Sequence, residues 1–316
     1  MRRLLLALSL AVASVTAASA QQTILRVGDQ KGNSRAVMEA AGVLKDLPYT
    51  IEWKEFVAAA PLLEALNANA IDTGLVGDGP FTFAAAANVP VKAIAAFPQN
   101  NGGLAIMVPK GSPVQNLADL KGKKIGTTKG SIGHMLILAA LEKEKIPLSD
   151  VQLVFMLPAD AKVAYTRGSL DAWSTWEPYV SQEEVLFGAR RLVTGEGITA
   201  GLSFQATRPE AIRDKRAALE DYLRRLAIAR AWSLANIDKY AETWGKLMSV
   251  PASVPQHWFE RAQVRVAPID DAVATAEQGT IDIYQRNGLI PKRIEANDVL
   301  DRSFASAIVR GTSQSQ

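Results

Sequence analysis

The stretch Val-Gly-Asp-Gln-Lys-Gly-Asn at residues 27–33 occurs again, in related form, as Ile-Gly-Thr-Thr-Lys-Gly-Ser at residues 125–131. The two copies lie 98 positions apart. In each copy a short apolar run leads into a Lys-Gly loop, and an apolar stretch with helical spacing follows the loop. This order predicts a strand, a loop and a helix that are repeated along the chain.

A second pair of segments repeats at nearly the same offset. Ile-Asp-Thr-Gly-Leu-Val-Gly-Asp at residues 71–78 returns 99 positions later as Leu-Asp-Ala-Trp-Ser-Thr-Trp-Glu at residues 170–177. Each copy predicts a strand that ends at an acidic residue, and each is followed by a proline, Pro80 or Pro178. Two repeats at one offset predict two lobes of similar topology, with a cleft for a small molecule between them.

Strands and helices alternate along both copies, which predicts an α/β fold in which each lobe is a mostly parallel sheet flanked by helices. We expect residues 21–105 together with residues 203–316 to form lobe 1, and residues 106–202 to form lobe 2. Two crossings, near residues 104–109 and 195–203, would act as the hinge. The helical end of the chain is expected to pack on lobe 1, because lobe 2 is already complete when it begins.

The N-terminus has the pattern of a secretory signal peptide. Arg2 and Arg3 precede an apolar run over residues 4–15, and Ala18-Ser19-Ala20 has the small residues of a cleavage site. The apolar run is too short to span a membrane. We therefore expect cleavage after Ala20 and export to the periplasm. The chain has no cysteine, so neither a disulfide nor a lipid anchor on an N-terminal cysteine is expected.

The charge balance argues against a nucleic-acid partner. Without Arg2 and Arg3 the chain has 33 basic and 32 acidic residues, a net charge near +1. A protein that binds nucleic acid or an anionic membrane normally has a clear basic excess. A mature chain of almost 300 residues buries enough surface to fold without disulfides, and we expect a monomer.

The loop at residues 129–134, Lys-Gly-Ser-Ile-Gly-His, is the clearest candidate for an anion site. It enters an apolar helix whose first turn has free N–H groups and the positive end of the helix dipole. Ser131 either caps this helix or binds a ligand oxygen, and His134 lies where its ring N–H could reach the same space. The related loop at residues 31–34 favours the anion site, because two helix N-termini would then face one cleft.

Aromatic and acidic residues follow the last strand of each repeat. Trp173 and Trp176 stand at the carboxyl end of a predicted strand and would either form a pocket wall or pack in the core. Glu177 and its counterpart Asp78 either cap the helices that follow or contact the ligand. Gln30 is either a ligand-binding amide or a surface loop residue.

Nothing in the sequence predicts catalysis, a metal or a cofactor. The two histidines, His134 and His257, do not have the spacing of a metal site. There is no cysteine nucleophile and no phosphate-binding loop of the nucleotide-hydrolase type. We therefore expect a protein that is not an enzyme.

Five stretches together resemble the substrate-binding proteins of ABC importers for aliphatic sulfonates, with the taurine and nitrate binders as relatives. They are residues 76–80, residues 117–126, Lys129-Gly130-Ser131 with His134, residues 168–179 and residues 288–292. The resemblance covers essentially the whole mature chain. The run Leu-Ala-Asp-Leu-Lys-Gly-Lys at residues 117–123 is common to many binding proteins and indicates the fold, whereas the two stretches around Ser131 and Trp176 are more specific to the sulfonate group.

The resemblance implies a type II periplasmic binding fold whose lobes close on the ligand by hinge bending. It implies a small organic anion as ligand, above all an aliphatic sulfonate, and an ABC membrane permease as partner. A different solute (taurine, nitrate, a sulfate ester or a heterocycle) and a role as a sensor subunit remain alternatives. With Trp176 added as a pocket wall, the expected ligand-binding residues are Gln30, Asp78, Gly79, Gly130, Ser131, His134, Trp173, Trp176 and Glu177.

Two positions depart from the pattern of that family. Family members often have several small hydroxyl residues after the Lys-Gly pair, where this chain has Ile132 and Gly133. The motif in the second lobe commonly has aspartate before the proline, and Glu177 is one methylene longer. Both changes fall in the expected pocket and affect which ligand fits.

Overall fold

The computed structural model describes residues 22–30 and 32–313. The predicted signal peptide and Lys31 lie outside the described residues. The described chain forms two five-stranded sheets with helices on their faces. We refer to sheet 1 with its helices as lobe 1, and to sheet 2 with its helices as lobe 2.

Sheet 1 has the strand order β2-β1-β3-β10-β4. Its strands are β1 (Ile24–Gln30), β2 (Thr50–Phe56), β3 (Thr73–Gly77), β4 (Lys92–Ala96) and β10 (Ser203–Thr207). Strand β1 pairs in parallel with β2 and β3, whereas β10 is antiparallel to both β3 and β4. Four of the five strands therefore run in one direction, and β10 is the strand that enters from the other lobe.

Sheet 2 repeats this arrangement with the order β7-β6-β8-β5-β9. Its strands are β5 (Ala105–Val108), β6 (Lys124–Thr127), β7 (Gln152–Phe155), β8 (Ala172–Thr175) and β9 (Arg190–Thr194). Here β5, the first strand after the chain leaves lobe 1, is antiparallel to its neighbours β8 and β9. Each lobe thus has a mostly parallel sheet and one antiparallel crossing strand.

Helices connect the strands of each sheet and cover its faces. In lobe 1 these are α1 (Asn33–Ala40), α2 (Ala59–Asn67) and α3 (Asp78–Ala86), and in lobe 2 they are α4 (Ile132–Lys143), α5 (Pro158–Thr166) and α6 (Tyr179–Phe187). The chain ends in α7 (Pro209–Asp214), α8 (Arg216–Ala235), α9 (Ile237–Met248), α10 (Ser253–Ala262), α11 (Asp271–Arg286), α12 (Ala296–Val299) and α13 (Ala305–Ser313).

The sequence repeat is also a repeat of hydrogen bonding. In lobe 1 the Asp72 carboxylate accepts a hydrogen bond of 2.8 Å from the backbone N–H of Arg26 at the start of β1. In lobe 2 the Asp171 carboxylate accepts one of 2.8 Å from the backbone N–H of Lys124 at the start of β6. Equivalent aspartates, Asp72 before β3 and Asp171 before β8, therefore fix the equivalent strands β1 and β6 of the two sheets.

The C-terminal helices pack mainly on lobe 1. Helices α8, α9 and α13 contribute to a core cluster with β1 and α1 that includes the buried Tyr222 and Trp244. Two of the later helices also reach lobe 2, because α10 packs against α6 and α11 packs against α4. The lobes are therefore in contact through two pairs of helices.

The first crossing between the lobes lies earlier than the sequence predicted. Residues 105–108 already pair with β8 and β9 inside sheet 2, so the chain crosses over residues 97–104 and not over 104–109. The return crossing spans residues 195–202. In the part of the chain that the structure describes, no helix is long and apolar enough to cross a membrane.

Candidate functional site

A cleft lies between the two sheets and contains about 1100 Å³ of empty space, including the part open to solvent. Its walls come from the carboxyl ends of β1 and β3, the start of α2, the first crossing, the loop before α4, the segment before α6, and α10. The end of β1, the end of β3, the loop before α4 and the segment before α6 belong to the repeat and were predicted to face one another, whereas the start of α2, the first crossing and α10 were not. The observed cleft therefore lies where α/β sheets usually bind ligands.

The cleft brings together five of the nine predicted ligand-binding residues and leaves four behind its walls. Those that line it are Gln30, Gly130, Ser131, Trp176 and Glu177, and those that do not are Asp78, Gly79, His134 and Trp173. The amide of Gln30 is fixed at the wall, because its Nε2 donates a hydrogen bond of 2.7 Å to the carbonyl of Leu75. Nowhere in residues 22–30 or 32–313 do three or more histidine, cysteine or carboxylate side chains form a possible metal site.

Ser131 is both the N-cap of α4 and part of the cleft wall. Its Oγ accepts a hydrogen bond of 3.2 Å from the backbone N–H of His134. Helix geometry leaves the N–H groups of the first residues, Ile132 and Gly133, without intrahelical partners. The hydroxyl proton of Ser131 and the N–H of Ile132 can therefore donate to an anion, and the helix dipole favours negative charge at this point.

His134 lies behind this loop and not in the cleft. Its ring is buried, its Nδ1 accepts a hydrogen bond of 3.2 Å from the N–H of Gly130, and it packs edge-on against Phe155 with 5.0 Å between ring centroids. Burial, with a smaller effect from the charge of Lys129, lowers the pKa of His134 to about 4. The ring is thus neutral at ordinary pH and shapes the loop without adding positive charge.

The matching helix N-terminus in lobe 1 is filled by its own carboxylate. Asp29 accepts hydrogen bonds from the N–H groups of Ser34 (2.8 Å) and Arg35 (3.3 Å). Burial raises the pKa of Asp29 to about 6. The equivalent residue in lobe 2 is Thr127, whose hydroxyl donates instead to the carbonyl of Ser174, 3.1 Å away. Asn33 at the start of α1 lines the cleft, so both helix ends face it as expected, but α1 has fewer free N–H groups to offer an anion than α4.

Helix α2 presents a second lobe 1 helix end to the cleft, besides that of α1. Residues 57–60 line the cleft, and the N-cap residue Ala58 has no side chain that could accept a hydrogen bond from the first turn. Pro61 is the third residue of this helix and lacks an N–H. This helix end was not among the predicted sites, although an alanine cap ahead of Pro61 is a signal of an uncapped helix start.

The two tryptophans have different positions. Trp173 is 1% exposed and packs in a core cluster with Tyr165 and Tyr179, at centroid distances of 5.8 and 5.4 Å. Side chains of successive strand residues face opposite sides of a sheet, and Trp173 faces the side of β8 that is covered by α5. It does not line the cleft. Trp176 follows the end of β8, is half-buried and lines the cleft. Of the two, Trp176 forms the aromatic wall.

Glu177 caps α6 and forms an ion pair across the lobes. Its Oε2 accepts a hydrogen bond of 3.0 Å from the N–H of Ser181, and its Oε1 accepts one from the guanidinium of Arg261 in α10. Arg261 also contacts Glu184 at 2.8 Å. Burial raises the pKa of Glu177 even though Arg261 opposes the shift. Arg261 is 84 residues away in sequence, which is why no local motif predicted it.

Asp78 is turned away from the cleft, toward α11. Its Oδ1 accepts a hydrogen bond of 2.8 Å from the N–H of Gly79, and its Oδ2 accepts one of 3.1 Å from the hydroxyl of Thr280. Burial raises the pKa of Asp78 to about 6. Gly79 lies against Tyr284, since a Cβ at this position would come within 2.7 Å of the Tyr284 hydroxyl. Both residues therefore serve the packing of α3 on α11.

The charges around the cleft favour an anionic ligand with an apolar part. Among the lining residues that the structure describes, which do not include Lys31, the charged ones are Lys129, which is exposed, and Glu177, which is paired with Arg261. The apolar surface includes Trp176 and Trp258. Lys129 and the start of α4 thus provide the positive end of the cleft, and the indole rings provide its apolar wall.

Comparison with known proteins agrees with this geometry. The family model described as NMT1/THI5 like matches residues 55–234. A protein of Escherichia coli (strain K12) that is named for binding aliphatic sulfonates is 33% identical over 293 residues, which cover 91% of each chain. The alkanesulfonate-binding protein SsuA from Xanthomonas axonopodis pv. citri, solved with bound MOPS, is 30% identical, covers 90% of this chain and 100% of its own, and has a TM-score of 0.85.

A second solved relative gives the same result. The periplasmic aliphatic sulphonate binding protein SsuA from Escherichia coli is 31% identical, covers 88% of this chain and 92% of its own, and has a TM-score of 0.80. The predicted fold class, a two-lobed α/β periplasmic binding fold, is confirmed by these structures. The chain belongs to the NMT1/THI5-like family and, within it, to the group of the aliphatic sulfonate-binding proteins.

Proposed function

We propose that this protein binds an aliphatic sulfonate in the cleft between its lobes. The observation that supports this most strongly is the start of α4, where Ser131 and Ile132 line the cleft together with the apolar wall of Trp176. A sulfonate spreads one negative charge over three oxygens, which suits several N–H and O–H donors at a helix N-terminus. Membership in the sulfonate-binding group supports the same ligand class.

The cleft suggests an orientation for the ligand. The sulfonate oxygens would accept hydrogen bonds from the Ser131 hydroxyl and the Ile132 N–H, with Lys129 contributing its charge. The carbon chain would lie against Trp176 and Trp258. Each CH₂ group buried there would add about 0.8 kcal/mol of binding free energy, so affinity should rise with chain length until the cleft is filled.

The same charges favour an alkanesulfonate over taurine. Taurine has an ammonium group as well as a sulfonate, and a buried ammonium needs a carboxylate partner. Glu177 lines the cleft but is neutralised by Arg261, and Asp78 faces α11. A taurine ammonium would therefore lose its hydration without gaining an ion pair.

We further propose that the protein works as the periplasmic subunit of an ABC importer, after cleavage of the signal peptide at Ala20. In this role it would act as a monomer, bind its ligand without covalent chemistry or a cofactor, and deliver it to the membrane permease. The names of its relatives and the signal-peptide pattern at residues 1–20 support this role.

The proposal is tested by thermal unfolding and calorimetric titration of the mature protein. The ligands would be straight-chain alkanesulfonates of increasing length, taurine, nitrate, sulfate and an amino acid. A ligand at 100 times its Kd should add roughly 2.7 kcal/mol to the free energy of unfolding. We expect this for the alkanesulfonates and a much smaller effect for taurine. No shift with any sulfonate would contradict the proposal.

A matched pair of variants tests the position of the site. Ser131→Trp fills the start of α4 and should abolish sulfonate binding while the protein stays folded. Ser169→Trp introduces the same side chain at an exposed position of lobe 2 and should leave binding unchanged. Equal affinity of the two variants would remove Ser131 from the site.

A further inference from the structure

The start of α4 is held in place by lobe 1 as well as by its own lobe. Met135 and Leu138 of α4 are 1% and 2% exposed and belong to the same core cluster as Phe81 and Tyr284 of lobe 1. A Cβ on Gly77 of lobe 1 would come within 2.5 Å of the Ile132 side chain. This close contact between α3, α11 and α4 joins the two lobes next to the candidate anion site.

Tyr284 of α11 makes the polar contact at the centre of this interface. Its hydroxyl donates to the backbone carbonyl of Ser131 at 3.2 Å and lies 3.4 Å from that of Gly130. Its fully buried ring meets Phe83 edge-on, at 6.4 Å and 85°. The Ser131 carbonyl also accepts the first helical hydrogen bond, 3.0 Å from the N–H of Met135. The Tyr284 hydroxyl of lobe 1 thus contacts the backbone carbonyls of both Gly130 and Ser131.

The hydroxyl proton of Tyr284 is available for these carbonyls. Burial, assisted by the carboxyl groups of Asp78 and Glu277, raises the pKa of Tyr284 well above its usual value, so the group stays protonated. The two carboxyl groups accept their own hydrogen bonds, from Thr280 to Asp78 at 3.1 Å and from Thr82 to Glu277 at 2.5 Å.

The hydrogen bond also orients the loop toward a ligand. In a trans peptide the C=O and the following N–H point in opposite directions. Because the Ser131 carbonyl points at Tyr284, the Ile132 N–H of the same peptide points away from Tyr284, and Ile132 is one of the residues that line the cleft. The contact therefore directs a donor at the ligand while it joins the lobes.

We infer that Tyr284 is a positioning residue that fastens the loop of residues 129–131 to lobe 1 in the closed protein and thereby sets the rate at which the ligand leaves. This inference rests on the proposed function, since it concerns the residence time of a sulfonate bound in the cleft. Because the bond joins two lobes, it stabilises the arrangement seen here, and it would break if α4 and α11 moved apart.

The test is Tyr284→Phe, which keeps the ring and removes the hydroxyl. Stopped-flow measurements with pentanesulfonate should show a dissociation rate about 5- to 30-fold higher, which corresponds to the loss of one buried hydrogen bond, and a nearly unchanged association rate. The Tm of the ligand-free protein should not change. Tyr165→Phe is the matched control, since it removes a buried hydroxyl within lobe 2 and should leave both rates unchanged.

Gly79→Ala provides a second variant at the same contact. Its methyl group would come within 2.7 Å of the Tyr284 hydroxyl and should also speed dissociation. Because the two residues touch, the effects of Gly79→Ala and Tyr284→Phe should not add in the double variant.

The outcomes separate the two proposals. If the wild type and Tyr284→Phe bind pentanesulfonate with the same dissociation rate, the role of Tyr284 is overturned and the proposed function stands. A lower Tm of the ligand-free variant with no change in dissociation rate would show a merely structural role and overturn it as well. If the wild type binds no sulfonate, both proposals fail.

Discussion

The buried carboxyl group of Asp78 should make folding stability depend on pH in a defined direction. Asp78 is 2% exposed, has no cationic partner among its hydrogen bonds, and has a pKa raised to about 6 by burial. The pKa of an unfolded aspartate is about 3.9. Because the folded value is the higher one, the folded state binds the proton more tightly than the unfolded state does.

The sign and size of the effect follow from this difference. The contribution of Asp78 to the free energy of unfolding is greatest below the pKa of the unfolded state, near pH 4. It falls as the pH rises toward the pKa of the folded state, about 6, and is constant above that pH. A shift of about two pKa units corresponds to a total loss of about 3 kcal/mol. Asp29 is shifted upward to about 6 as well, so the wild-type profile contains more than one such contribution.

The variant Asp78→Asn removes this contribution, because the amide cannot ionise, and it also removes the charge that raises the pKa of the neighbouring Glu277, which acts in the same direction. Urea unfolding from pH 4 to pH 8 should show the variant gaining about 2–3 kcal/mol relative to the wild type as the pH rises. Asp160→Asn, at an exposed position in the first turn of α5, is the matched control for the amide substitution. A stability difference between Asp78→Asn and wild type that stays flat over this range would refute the argument.

Two further predictions concern the cleft and the lobe contact. Trp176→Ala should weaken alkanesulfonate binding by about 1–3 kcal/mol in calorimetric titration. The core substitution Trp173→Ala should instead lower the free energy of unfolding in urea by about 3–5 kcal/mol. The reverse pattern would contradict the assignment of Trp176 to the cleft and Trp173 to the core. Arg261→Met should destabilise the protein by about 3–5 kcal/mol, because it leaves the buried Glu177 without its cationic partner. Adding Glu177→Gln should restore part of this loss. A double-mutant cycle without coupling energy between the two positions would contradict the ion pair.

The repeat was enough to predict the architecture. The N–H groups of Arg26 in β1 and Lys124 in β6 bind equivalent aspartates, so the similar sequences fold in the same way. The place of the first crossing was not predicted, because residues 105–108 are apolar and could belong to either sheet; their pairing with β8 and β9 decides it.

The candidate site was harder to predict, because its details depend on neighbours distant in sequence. Asp78 and Glu177 occupy equivalent positions, yet one packs against α11 and the other pairs with Arg261 of α10. Trp173 and Trp176 could not be separated without knowing that β8 ends at Thr175. A local pattern specifies a helix cap well, but the partner of a buried carboxylate is set by the tertiary structure.

The most direct test of the central proposal is to locate the sulfonate sulfur in a crystal of the complex with butanesulfonate, using its anomalous scattering. The chain has no cysteine and six methionines, so the ligand sulfur can be distinguished from those of the protein. We predict sulfonate oxygens at hydrogen-bond distance, about 2.7–3.2 Å, from the Ser131 hydroxyl and the Ile132 N–H, with the carbon chain against Trp176. A sulfur at the start of α2, or outside the cleft, would contradict the proposed orientation of the ligand.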